Sequence, residues 1–198
     1  MVIDLSPVIS GDMKMLEFSR PFSVADLRDT TNHSLDTIRA MIEGKSDTYV
    51  TFLPVDPNAN DPFAKPGEEN IGWSLAHLVA HVTASSEEWA TYSSILARGI
   101  HYPAEPRLRF ETEWTSITST AQTLQRLEES RRLRLGYLAA WPDQPDLTML
   151  RGLSPRYVEK FGEMNAPAAF LFGLMHEVGH HEQFREVARQ ADAALAGV

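Results

Sequence analysis

The chain has 198 residues, 43% of them apolar, and a formal charge of −9. That apolar share supports a substantial core and is unlike a disordered chain, and the acidic balance argues against a basic surface for nucleic acid. No cysteine is present, which excludes disulfides, thiolate metal sites, iron–sulfur ligation and a nucleophilic thiol of the protein's own. The opening MVIDLSPVISGDMKMLEF lacks the basic stretch and apolar run of a signal peptide. No apolar run approaches the ~20 residues of a membrane span. The expectation is one cytoplasmic domain over residues 1–198, with its core at about 20–195 and no membrane or nucleic-acid partner.

Four long segments read as helices, separated by proline-rich loops. The first spans about Ser23 to Glu43. Ser23 and Asp26 make a capping box, Val24, Leu27, Leu35, Ile38 and Ile42 form one apolar stripe, and Gly44 ends it. Residues 48–71 then form a long crossover loop, because Pro54, Pro57, Pro62 and Pro66 remove donors and clash with a helical backbone. Its opening, Tyr49–Leu53, reads as extended. The second helix runs from Trp73 to Arg98 and stops at Gly99, and Ile100–Phe110, with Pro103 and Pro106, is a second loop. The third, about Trp114 to Ala140, carries the charged run RLEESRRLRLGYL, read as a solvated face with intrahelical ion pairs. Residues 143–163 are loop with a short helical turn near Arg156–Phe161. Asn165 caps a fourth helix that accepts Pro167 in its first turn and continues to about Leu195. Four such helices without an alternating strand pattern predict an all-α four-helix bundle with long crossover loops.

Five of the seven histidines lie on the second and fourth helices. His77 and His81 are spaced i, i+4, as are His176 and His180, so each pair shares a helix face with Cβ atoms about 5–6 Å apart. Imidazole is the commonest metal ligand among side chains. On the fourth helix His180 falls ~40° from His176 and Gln183 ~20° to the other side, with Ala169 and Val187 continuing the stripe. His181 lies off it, as a supporting or surface residue. On the second helix Ser74, His77, His81, Ser85 and Glu88 share a stripe. Polar side chains therefore occupy faces that should point inward, where they are costly unless satisfied; metal coordination would satisfy them.

The string His176-Glu177-Val178-Gly179-His180 also matches the HExxH pattern of zinc proteases, with Glu177 as general base. The histidine and glycine of the extended protease pattern are replaced here by Glu186 and Gln183, and Glu177 sits ~80° from the ligand stripe. Glu88, two turns beyond His81, is a candidate for orienting a ligand or holding a proton, with a solvent-facing glutamate as the alternative. Tyr49, Phe52 and Trp73 are candidates for a pocket mouth, core packing being the simpler role for Trp73. No phosphate-binding glycine loop or dinucleotide fingerprint is present.

Two signatures carry a family likeness: Trp73-Ser74 with His81 eight residues after the tryptophan, and His176-x-x-x-His180 with Gln183 three residues later. In these, and in length and helix count, residues 20–195 resemble the DinB/YfiT-like superfamily of metal-binding four-helix bundles. The resemblance implies a metal site at His81, His176 and His180; His77 has no fixed counterpart in that pattern and is read as a core or supporting residue, with a fourth ligand as the alternative. Relatives often carry Arg-Gly where this chain has His181-Glu182. Further implied are a divalent transition metal (zinc or nickel foremost, iron or manganese also), a small-molecule substrate and a homodimer. The chemistry implied is a thiol-dependent transferase, using a low-molecular-weight thiol such as bacillithiol or mycothiol, or a hydrolase. Three histidines leave such a metal open for chemistry. The alternatives are a non-catalytic, metal-stabilised stress-response or ligand-binding bundle, and the HExxH metalloprotease.

Overall fold

The computed structural model describes residues 1–60, 64 and 66–196, so Pro62 of the crossover loop lies outside the described residues. Among these the chain is helical, with no strand. Two short N-terminal helices that no sequence pattern announced, α1 (Ser6–Ile9) and α2 (Met15–Ser19), precede α3 (Val24–Ile42). The predicted capping box is in place: Asp26 N–H donates to the Ser23 hydroxyl, and Ser23 N–H donates to the Asp26 carboxylate. The expected extended piece after α3 is instead a single helical turn, α4 (Asp47–Val50), because the Ser46 side chain accepts from Tyr49 N–H and nucleates it. A local cap here overrides the β-preference of Tyr49 and Val50.

The second predicted helix is α5 (Leu75–Ala97), capped by Ser74. The third starts later than expected. Trp114–Ser116 is a 3-10 turn, and α6 (Thr120–Ala139) begins only where Ser119 caps it. A short α7 (Pro155–Phe161) matches the predicted turn. The fourth segment is broken: α8 (Ala166–Gly179) ends and α9 (His181–Leu195) begins at His180, whose N–H bonds back three residues to Glu177 O. That tightened turn follows Gly179, a poor helix residue. None of the described helices is long and apolar enough to cross a membrane.

The long helices pack α5 against α6 and α8, and α3 against α6, α8 and α9. Two apolar clusters form the core. One gathers Leu27, Trp89, Tyr92, Leu96, Leu138 and the start of α8; the other gathers Leu35, Ile38, Leu78, Val82, Leu127, Phe184 and Val187. On every long helix the residues between the two sets are polar: Thr31 and Ser34, Ser85 and Ser86, Ser130 and Arg134, Glu177 and His181, all buried. At the centre of this layer Arg134 and Glu177, 1% and 0% exposed, form an ion pair at 3.0 Å. The charged run of α6 is thus only partly a solvated face. Arg126 pairs with Glu87 of α5, Arg131 with Asp36 of α3, and Arg134 with Glu177 of α8.

Gly173 sets the approach of α8 to α5. A Cβ there would lie 3.1 Å from Ser86 Cα and 3.1 Å from Trp89 Cβ. Hydrogen in place of a side chain lets the two backbones close, and the Ser86 hydroxyl donates to Gly173 O across the contact at 3.1 Å. One turn further along α8 stands His176.

Candidate metal centre

Close packing of α5 on the α8–α9 segment brings His81, His176 and His180 together, with one ligand-type nitrogen from each lying within 4.8 Å of the others. His81 Nε2 and His176 Nε2 face each other at 3.3 Å. For nitrogens about 2.0–2.1 Å from a tetrahedral zinc, the ligand–ligand edge works out at roughly 3.3–3.4 Å, so this spacing fits a shared cation. Without one, a single proton can sit between the two nitrogens. His176 Nδ1 is moreover buried and has no hydrogen-bond partner, a costly arrangement for an imidazole excluded from water. The three rings are mutually inclined, with centroids 4.7–5.2 Å apart.

The far side of two of these rings is held. With its proton on Nδ1, His180 donates to the Gln183 side-chain oxygen at 2.8 Å, which aims Nε2 away from Gln183. The Glu111 carboxylate lies 3.4 Å from His81 Nδ1. Arg109 pairs with Glu111, donates to His81 O at 3.2 Å and brings the same Nη2 to 3.3 Å from His81 Nδ1. A carboxylate or amide behind a histidine fixes its tautomer and raises its basicity as a ligand. Burial, followed by the neighbouring His180 and His81, pushes the His176 imidazole down to about 3, and burial also lowers His180. Burial alone would raise Glu111, but hydrogen bonds from His81 and Arg109 prevail and hold it down to about 2. These two histidines are therefore neutral near pH 7, the form that binds metals.

His77 stands outside this group. Its ring lies between two tryptophans, 4.6 Å from Trp73 and 4.7 Å from Trp114, the latter nearly parallel at 4°. His181 faces the opposite way, into the buried polar layer, where the Ser34 hydroxyl meets its Nε2 at 3.1 Å. Trp73 does more than fill core. Its ring lies 4.6 Å from His81 and 6.2 Å from His180, and it walls a cavity of about 200 Å³ with His180, Gln183, Ile71, Asp56 and Asn58. Tyr49 and Phe52 instead pack in the α3–α9 cluster, Tyr49 donating its hydroxyl to Ala188 O at 2.9 Å.

Glu177 faces Arg134 and Ser86 in the polar layer, which removes the base an HExxH protease requires. Glu88 is not solvent-facing: it is buried on α5, bonded to Tyr92 and Arg107. Sequence reasoning missed Glu111, Arg109 and the stacking role of Trp114. They lie on the loop between α5 and α6, whose path over α5 no local spacing encodes.

Neither curated proteins nor solved structures include a match to this chain. A sequence profile does match residues 57–184, a stretch containing the three converging histidines, Trp73, Glu111 and Gln183. The matching profile is that of the DinB superfamily, and the chain belongs to this superfamily.

Proposed function

We propose that this protein is a metal-dependent enzyme acting on small molecules, with His81, His176 and His180 as the ligands of one divalent transition metal, zinc or nickel foremost. The observation that carries this reading is the convergence of three imidazoles from two helical segments beside a cavity. Structural metal sites ordinarily close with four protein ligands, and among the described residues no further histidine or carboxylate joins the group. When bound there, the metal supplies Lewis acidity that lowers the pKa of a thiol or water toward neutrality.

The chain's own residues do the rest. Gln183 accepts from the outward nitrogen of His180, and Glu111 stands as an acceptor beside that of His81, favouring the tautomers whose inward lone pairs face the cluster. Trp73 covers two of the rings and shields them from water. The cavity, about 200 Å³, suits a compact substrate rather than a polypeptide. Because the chain has no cysteine, a thiol nucleophile would arrive with a low-molecular-weight cosubstrate. Thiol transfer and hydrolysis are the two reactions such a centre would serve, and a metal-stabilised binding bundle is the non-enzymatic reading.

Metal analysis of the purified protein tests the ligand set. One metal per chain is expected, lost in His81→Ala, His176→Ala and His180→Ala and largely kept in His77→Ala and His181→Ala. Full retention by His81→Ala would refute it. Turnover of a panel of thiols and electrophiles by the loaded protein separates an enzyme from a binding module.

A further inference from the structure

We propose that Glu88 is a positioning residue for this centre: through Arg107 and Tyr92 its buried carboxylate fixes segment 107–111, so that Glu111 meets His81. The inference rests on the metal reading above. Glu88 lies seven residues beyond His81 on α5, about 10 Å along the axis, and is 2% exposed. Its Oε1 accepts from the Tyr92 hydroxyl at 2.7 Å and from Arg107 Nε at 2.9 Å, and its Oε2 accepts from Arg107 Nη2. The Tyr92 hydroxyl in turn accepts the Leu108 backbone N–H at 2.8 Å. One carboxylate thereby holds both a side chain and the backbone of the segment. Beyond Glu111 the segment is pinned again where Trp114 stacks on His77.

The side-chain pattern shows why such an anchor matters. Arg107, Arg109 and Glu111 turn their charged ends toward α5, their side chains 51%, 18% and 33% exposed, while Leu108 and Phe110 stand 39% and 82% exposed; the contrast is sharp at 109–111 and absent at 107–108. This reverses the ordinary preference for apolar side chains inside. In an extended chain, residues of one parity share a face, and a slip of one position exchanges the faces. The exchanged arrangement would bury Phe110 and carry Arg109 and Glu111 outward, away from His81. Glu88 supplies the buried counter-charge that keeps the observed face inward, and Glu111 is held against His81 as a consequence.

A double-mutant cycle on Co²⁺ affinity, read by titration calorimetry and by the visible spectrum of the bound ion, tests this on the full-length protein. Glu111→Gln should weaken binding roughly 10- to 100-fold, the range for a lost partner behind a ligand. Glu88→Gln should weaken it by about tenfold or more, and the double variant should match Glu111→Gln within about twofold, because Glu88 acts through Glu111. Tyr92→Phe keeps the carboxylate and its ion pair with Arg107 while removing the hydroxyl that links Glu88 to Leu108; it should show the same non-additivity, and it completes the cycle if Glu88→Gln does not fold. Multiplicative losses in the double variants, or an unchanged affinity in both Glu88→Gln and Tyr92→Phe, would overturn the positioning role while leaving the metal site standing. Absence of Co²⁺ binding by the unaltered protein would overturn the metal reading itself, and this inference with it.

Discussion

Replacing Glu177 with glutamine separates the two ways in which the HExxH string can be used. In this structure the side chain lies in the polar layer between the two apolar clusters, 0% exposed, with the Arg134 guanidinium at 3.0 Å and 1% exposed. Glutamine preserves the shape and removes the charge, leaving a guanidinium out of water with no counter-ion. Breaking a buried pair in this way costs roughly 3–5 kcal/mol. For a chain of this size about 1 kcal/mol moves the melting temperature by some 2–4 °C, so a fall of about 6–20 °C is expected. With a urea m-value near ~2 kcal/mol/M, the midpoint should drop by about 1.5–2.5 M. Replacing both partners by apolar residues, Arg134→Met with Glu177→Leu, should recover that loss or exceed it, since the desolvation cost of both charges disappears. Metal affinity of Glu177→Gln should stay within about threefold of the unaltered protein, because its carboxylate touches Arg134 and Ser86 rather than the three histidines. Thermal and urea melts of the metal-free proteins, followed by metal titration, decide it. A Glu177→Gln protein that melts with the unaltered one but loses turnover would refute the structural role and restore the catalytic one.

The metal-free protein should lose stability on mild acidification. His176 is held down to about 3 by burial, and burial also lowers His180 and His181. Each therefore binds a proton more readily once unfolded. Their contribution is fully present above the ordinary histidine value of about 6.5 and is lost as pH falls from there toward the folded values, His176 alone costing up to about 1.4 kcal/mol per pH unit. Urea midpoints at pH 7, 6 and 5, above the range in which carboxylates titrate, should fall steadily; a flat profile would contradict the burial of these rings. Gln183→Leu removes the oxygen that holds His180 Nδ1 at 2.8 Å and should weaken metal binding by about tenfold with little change in melting; unchanged affinity would count against that hydrogen bond.

Much of the helical layout was legible because its signals are local. Ser23 and Asn165 each accept from a backbone N–H at the start of the helix they were expected to cap, whereas Ser74, read as part of the second helix's inward stripe, instead caps that helix. His176 and His180 were legible because i, i+4 spacing survives the break at His180, where only the last turn tightens; the same spacing pairs His77 with His81, and only the family resemblance singled out His81. The sequence reading failed where tertiary contacts decide. Nothing in RLEESRRLRLGYL distinguishes Arg134, whose partner lies on α8, from Arg132 beside it. The start of α6 was misplaced because Trp114 leaves the helix to stack on His77. Glu111 escaped notice for the same reason: its partner belongs to a helix that the loop reaches only after passing Glu88.

The segment 176–181 serves two purposes at once, and its sequence shows how. His176 and His180 face the site, whereas Glu177 and His181, each one residue on and about 100° round the helix, face the core. There Arg134 and Ser34 hold them. Two of the three proposed ligands are thereby carried on a backbone fixed from behind by buried polar contacts, which resist displacement because breaking them strands a charge or a ring nitrogen. The third, His81, sits on a well-packed helix, but the orientation of its ring depends on Glu111, and Glu111 depends on a loop. Any adjustment of the site to metal or substrate is therefore cheapest on the His81 side, where only the segment 107–111 has to move. A network buried beneath that segment, centred on Glu88, is the means by which the fold limits that freedom.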